Sequence, residues 1–262
     1  MSLAGGSYAA DMSELAVTAS KLKADTANVA VATDPQTPVR AEQAELTRVR
    51  QILSFGGGIL KKDAAFVSEW FPKFYADGLI GRAPTEYEVS QLTEWFPNLA
   101  ENKNLRVTGE ACGSYNCISW SVGITGSWEW PGDGVDTFDK FYLSYGYIPL
   151  AVVESSDTAE VAYWESADGD STHGCRHVAG DIWESKLGGS LRILHTLKDL
   201  EGDTYGYMKK LYRRATTEEL AALGVTPKDP GGNGVDPCAT ATKGTNRGGK
   251  YDLGSPYSKA RR

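Results

Sequence analysis

Between residues 148 and 197 the chain reads as a succession of short strands. These are IPLAVV, EVAYWES, THGCRHV, DIWESKL and LRILHTL, with Gly, Asp and Ser turn residues between them. Short apolar and aromatic runs with turns between them are joined most simply as neighbours in a largely antiparallel sheet. Helical spacing lies upstream. Leu46, Val49, Ile52 and Leu53 recur at helical intervals over 40–54. Trp70-Phe71-Pro72 and Trp95-Phe96-Pro97 each close a further expected helix, over about 63–71 and 85–96. Thr85 with Glu88 three residues on fits a capping box for the second of these. DTFDKFYLSYGY reads as an aromatic amphipathic helix, and YMKKLYRR and TTEELAALG read as helical too. The expected fold class is α+β: a helix bearing Cys117 packed on a small antiparallel sheet.

Four regions follow. Residues 1–38 form an Ala-rich N-terminal extension with one moderate helix, and 39–103 a helical region. Residues 104–215 make the α+β domain, and 216–262 a short helix and a flexible tail. Beyond 226 the chain is Gly, Pro and charge, with little to bury.

A formal net charge of −7 argues against a nucleic-acid or anionic-membrane partner. No run approaches the roughly 18 apolar residues of a membrane span. The segment MSLAGGSYAADMSELAV has neither the basic nor the apolar stretch of a secretory signal, so a cytoplasmic location is the default expectation. Oligomeric state is not legible. Four cysteines (Cys112, Cys117, Cys175, Cys238) are too sparse for a disulfide scaffold. No phosphate-cradling or dinucleotide glycine motif and no nucleophile elbow occurs, and no cofactor is expected.

The segment ACGSYNCISWS, residues 111–121, carries the candidate chemistry. Cys117 there is a nucleophile, a metal ligand, half of a disulfide or a small core residue. At a helix start its thiol would meet the positive end of the helix dipole and unsatisfied N–H groups, which favour the thiolate. The chain has three histidines, His173, His177 and His195, all within the strand-like region. Strand alternation puts His173, Cys175 and His177 on one face, with Gly174 and Arg176 on the other. A histidine on a sheet packed against the cysteine helix would complete a thiol–imidazole pair. A zinc site would have to assemble Cys112, Cys117, His173, Cys175 and His177, whose spacings are unusual for a structural site. Metal is therefore not expected, and Cys112 is taken as a spectator.

The order of these elements resembles the papain-like superfold in its compact form, that of bacterial cell-wall endopeptidases and amidases. Asn116-Cys117-Ile118-Ser119 is similar to the cysteine motif at the helix start, and AEVAYW to the strand that follows. THGCRHVAG resembles the histidine strand, and DIWESKLG the strand with a third polar residue. The resemblance implies Cys117 as nucleophile, His173 as base and Ser185 as the orienting residue, with His195 the alternative orienter. It also implies a peptide or amide substrate.

From FPNL to the YRR at 212–214 the chain is also similar to an uncharacterised domain family. That family is marked here by YNCISW, WEWP, FYLSYGY, STH, WESKLG, ILH and TYGY. The similarity makes Tyr115, Asn116 and Trp120 expected site-lining residues and Lys186 a candidate for binding a substrate carboxylate. Two functions are carried forward. One is a cysteine hydrolase acting on an amide or related acyl bond. The other is a catalytically inactive papain-like domain serving as a binding or structural assembly module.

Overall fold

The computed structural model describes residues 37–54, 59, 61–152, 154, 156–231, 236–238 and 256. The chain divides into two units, 1–43 and 44–262. Of the first, only the opening of one helix is described, so the N-terminal extension lies almost wholly outside the described residues. The second unit is α+β, with an antiparallel sheet covered by helices on both faces.

The strands are β1 (Arg106–Gly109), β2 (Tyr147–Pro149), β3 (Val161–Glu165), β4 (Ser171–Ala179), β5 (Ile182–Lys186), β6 (Arg192–His195) and β7 (Tyr207–Arg214). They lie in the order β1-β6-β5-β4-β3-β7-β2, and every neighbouring pair is antiparallel. The helices are α1 (Thr37–Ser54), α2 (Lys61–Ala76), α3 (Glu86–Trp95), α4 (Cys117–Ser121), α5 (Val135–Ser144) and α6 (Thr217–Leu223).

Local chemistry explains most of these boundaries. Thr85 and Glu88 make the expected reciprocal cap at the start of α3. A second capping box, Thr216 with Glu219, opens α6, and Gly224 ends it in the left-handed conformation. Two expectations fail. The first Trp-Phe-Pro does not end its helix: α2 runs through Pro72 to Ala76. There the apolar face of Val67, Phe71, Phe74 and Tyr75 is buried with Leu46, Val49 and Leu53 of α1, so packing outweighs the lost backbone bond. YMKKLYRR is not helical but forms β7, paired to β3 and β2. Its alternating burial, with Tyr212 fully buried, is the period of a strand.

Register assigns the faces. Ala162 and Trp164 of β3 lie opposite Cys175 and His173 of β4, while Val161 and Tyr163 lie opposite Arg176 and Gly174. The first set, with Trp183, Ile193 and Tyr205, is buried against Leu92, Phe96 and Leu99 from α3 and the turn after it. The second set, through Val161 and Tyr163, is buried with Cys117, Ile118 and Val122 and with Phe138 and Tyr142 of α5. The sheet therefore separates an α3 layer from an α4–α5 layer.

Candidate functional site

Asn116 caps α4: its side-chain oxygen accepts from the Ser119 backbone N–H at 2.9 Å, and its amide donates to the Glu129 carbonyl at 2.8 Å. Cys117 is thus the first residue of the helix, as its sequence position implies. It is fully buried in the α4–α5 layer.

Gly174 marks how closely that helix rides on the sheet. A Cβ there would lie 2.5 Å from the Tyr142 hydroxyl, 3.2 Å from Ile118 Cδ1 and 3.5 Å from Ser121 Oγ. A glycine inside a strand is the signature of such an approach. Its neighbours His173 and Cys175 then point to the opposite face. We expect Gly174→Ala to cost about 1–3 kcal/mol by overpacking. Urea unfolding should show a lower midpoint at unchanged slope; an unaffected midpoint would mean that α4 does not rest on β4 in this way.

His173 is accordingly not beside the Cys117 thiol. It lies in the α3 layer, its ring stacked on Tyr205 with centroids 4.0 Å apart and edge-on to Trp164 at 5.3 Å. Ser185 does meet it, with Oγ 2.8 Å from His173 Nε2 and 2.6 Å from His195 Nε2. His195 Nδ1 lies 2.7 Å from the Thr196 carbonyl, so that nitrogen carries the proton. Nε2 of His195 then accepts from the Ser185 hydroxyl, whose oxygen accepts from His173 Nε2–H. This leaves His173 Nδ1 as a bare, buried acceptor without a partner. Both imidazoles are held neutral. Burial, helped by its neighbour His195, lowers the His173 pKa well below the usual value, and burial brings His195 down to about 4. The Cys175 thiol beside Ser185 is pushed well above its ordinary range by burial. Of the two residues proposed to orient the imidazole, Ser185 thus contacts His173 directly and His195 reaches it through Ser185, but on the face away from the cysteine. His177 is apart from them, bonded to the Gly180 carbonyl at 2.7 Å with its ring against Trp183.

What faces α4 from the sheet is a charged cluster. Arg176, Glu184, Lys186 and Arg192 share this face through the pairs Arg176↔Glu184 and Lys186↔Arg192. Glu184 accepts from Arg176 Nε at 3.1 Å and Nη2 at 2.8 Å, pairs with Arg192 Nε at 3.1 Å, and accepts from Thr108 Oγ1 at 2.7 Å. Trp120 is a cation–π partner of both arginines, whose guanidinium carbons are 3.6 Å (Arg176) and 4.1 Å (Arg192) from its ring centroid. Lys186 Nζ donates to the carbonyls of Gly188 at 2.8 Å and Ser190 at 2.5 Å. It is completely buried, so its pKa falls to about 7, mainly through burial and then through Arg192. Tyr115 stacks on Trp120, centroids 5.6 Å apart, and its hydroxyl donates to Asp236 at 2.8 Å. Asn116, Tyr115, Trp120, Lys186 and Cys117 are therefore gathered on one face; His173 and Ser185 are gathered on the other.

Sequence reasoning missed two members of this cluster. Cys112 is not a spectator: it forms a disulfide with Cys238. Asp236, from the region expected to be a flexible tail, is buried and pairs with Arg192. The signal for both lay in Asp236-Pro237-Cys238, the one cysteine set among turn residues after α6. The residues weighed for zinc are dispersed, and among the described residues no group of three His, Cys, Asp or Glu side chains could hold a metal ion. No described helix is long and apolar enough to cross a membrane.

Residues 106–213 match the model of a domain family described as a domain of unknown function, DUF7689. This agrees with the similarity to an uncharacterised domain. No curated protein and no solved structure matches the chain.

Proposed function

We propose that this domain is a binding or structural module, which keeps the papain-like order of cysteine helix followed by antiparallel sheet without using a Cys–His dyad. The observation that carries this reading is the alternation along β4. Gly174 takes the approach of α4, so His173 is committed to the other layer. A thiol hydrolase needs its base within hydrogen-bond reach of the sulfur. Burial supports the same reading: Cys117, His173 and Ser185 have no exposed surface. Such a module recognises partners through groups other than the thiol.

Alkylation tests it. With iodoacetamide at neutral pH, Cys117 and Cys175 should stay unmodified in the folded protein and react fully once it is unfolded, as read by peptide mass spectrometry. Rapid, selective modification of folded Cys117 would reject the module reading.

One observation favours a hydrolase of altered design. Lys186 shares the sheet face toward α4, and burial and then Arg192 push its pKa down to about 7 against a smaller opposing effect of Cys117. A neutral lysine could then serve as the base toward a peptide or amide substrate, as His173 could not. Under that reading the modification rate of Cys117 rises through pH 7 and loses this step in Lys186→Met.

A further inference from the structure

The cluster around Trp120 is unbalanced in what residues 106–213 contribute to it. They supply two guanidiniums, Arg176 and Arg192, the amine of Lys186 and one carboxylate, Glu184, all buried. The second carboxylate comes from beyond the family match. Asp236 Oδ2 accepts from Arg192 Nη1, and Oδ1 accepts from the Tyr115 hydroxyl at 2.8 Å and from the Cys238 backbone N–H at 2.8 Å. The segment is held at two more points, by the Cys112–Cys238 disulfide and by the Glu110 N–H donating to the Cys238 carbonyl at 3.1 Å. Cys238 is buried against Tyr115 and Trp120. Two polar groups of the same neighbourhood have no partner: the Trp120 indole N–H and the Ser190 hydroxyl, whose own carbonyl receives Lys186. A guanidinium and a phenol on one carboxylate, with unused donors in the same buried cluster, are the parts of a carboxylate-binding site.

We propose that Arg192 and Tyr115 form a carboxylate-binding site which Asp236 occupies as a tethered ligand, with the Cys112–Cys238 disulfide as its latch. The proposal rests on the module reading and names the ligand class of that module, a carboxylate such as an acidic side chain or a chain terminus. The latch opens by exchange with a dithiol reductant. A thiolate of the reductant attacks one sulfur, the Cys112–Cys238 bond breaks, and the reductant's second thiolate displaces the protein thiol. Two electrons and two protons arrive on Cys112 and Cys238, and the reductant leaves as its own disulfide. Asp236 is then tethered only by the chain, and a carboxylate in solution competes for Arg192.

The test uses the full chain with acetate as the probe and the same concentration of chloride as the control. Oxidised wild type should show no acetate-specific change in melting temperature. Wild type reduced with dithiothreitol, and the oxidised variant Asp236→Ala, should each gain roughly 3 °C in 100 mM acetate. Amide exchange at Cys238, whose N–H is bonded to Asp236, should quicken at least tenfold on reduction while β3–β6 stay protected. The proposal is overturned if acetate stabilises neither the reduced protein nor the variant. It is also overturned if reduction leaves the Cys238 amide as protected as before, or if it unfolds the sheet. Parallel alkylation of Cys117 separates the two ideas. A reactive thiol would end the module reading, while the acetate and exchange results decide the carboxylate site.

Discussion

Glu184→Ala should lower the unfolding free energy by about 3–5 kcal/mol, the cost of leaving buried charge without its partner. That is a large part of the 5–15 kcal/mol typical of a domain. Glu184 is 1% exposed and is the shared acceptor for two buried arginines. Without it Arg192 keeps Asp236, and Arg176 keeps the Leu53 carbonyl at 2.9 Å but loses both of its bonds to this carboxylate. The two guanidiniums would then repel each other across Trp120. Glu184→Gln retains shape and hydrogen bonding and should lose less. The double variant Glu184→Ala, Arg176→Met also removes one of the two facing guanidiniums and should recover part of the loss. Urea unfolding at pH 7 reads all three. A loss below about 1 kcal/mol in Glu184→Ala would show that the arginines are hydrated and that the cluster is not a sealed network.

The second large effect comes with acid. His173 and His195 are buried neutral, and each has a folded pKa below the roughly 6.5 of an unfolded histidine. Between the two values the unfolded chain binds more protons than the folded one, so stability rises with pH there. The contribution is therefore complete above about pH 6.5 and declines as pH falls below it, for His195 down to about 4. At about 1.4 kcal/mol per pH unit, His195 alone accounts for roughly 3 kcal/mol over that span. The urea midpoint should drop steeply from pH 6.5 to 5, before most carboxylates titrate. His195→Asn should flatten the slope. The drop has a structural reading: a protonated His195 can no longer accept from Ser185, so the chain through Ser185 to His173 breaks at its first link. An identical slope in wild type and variant would assign the acid loss to other groups.

Much of this architecture was legible from the residues, and the failures have physical causes. The strand runs became β3 to β6 because each is a short run between turn residues that the sheet buries on both faces. The Thr85–Glu88 cap is local and held. The helix start at Cys117 is also local, set by Asn116. The partnership of Cys117 and His173 was a statement about layers, which periodicity along one strand does not decide. Alternation put His173 opposite Gly174 in facing, but only the approach of α4 says which face receives the cysteine. Gly174 was the available clue, since a side chain there has no room. YMKKLYRR reads as helical because four basic residues, on exposed and half-exposed positions, hide its period of two. The Cys112–Cys238 link joins residues 126 apart. No local pattern reports a contact at that range, and the composition of the tail pointed the wrong way.

The two ends of the sheet bear on how such a domain could assemble. The outer strand at one end, β1, is four residues long, and its free side is occupied by Arg82, whose backbone exchanges two 2.8 Å hydrogen bonds with Val107. At the other end β2 has three residues and closes on Pro149, which has no N–H to offer. Neither border offers an incoming strand a row of open donors and acceptors, the usual template for growth by strand addition. Copies of this domain, or a partner's extended segment, would have to be recognised through side-chain surfaces. The same closure protects a sheet this rich in aromatic residues from stacking edge to edge into fibres.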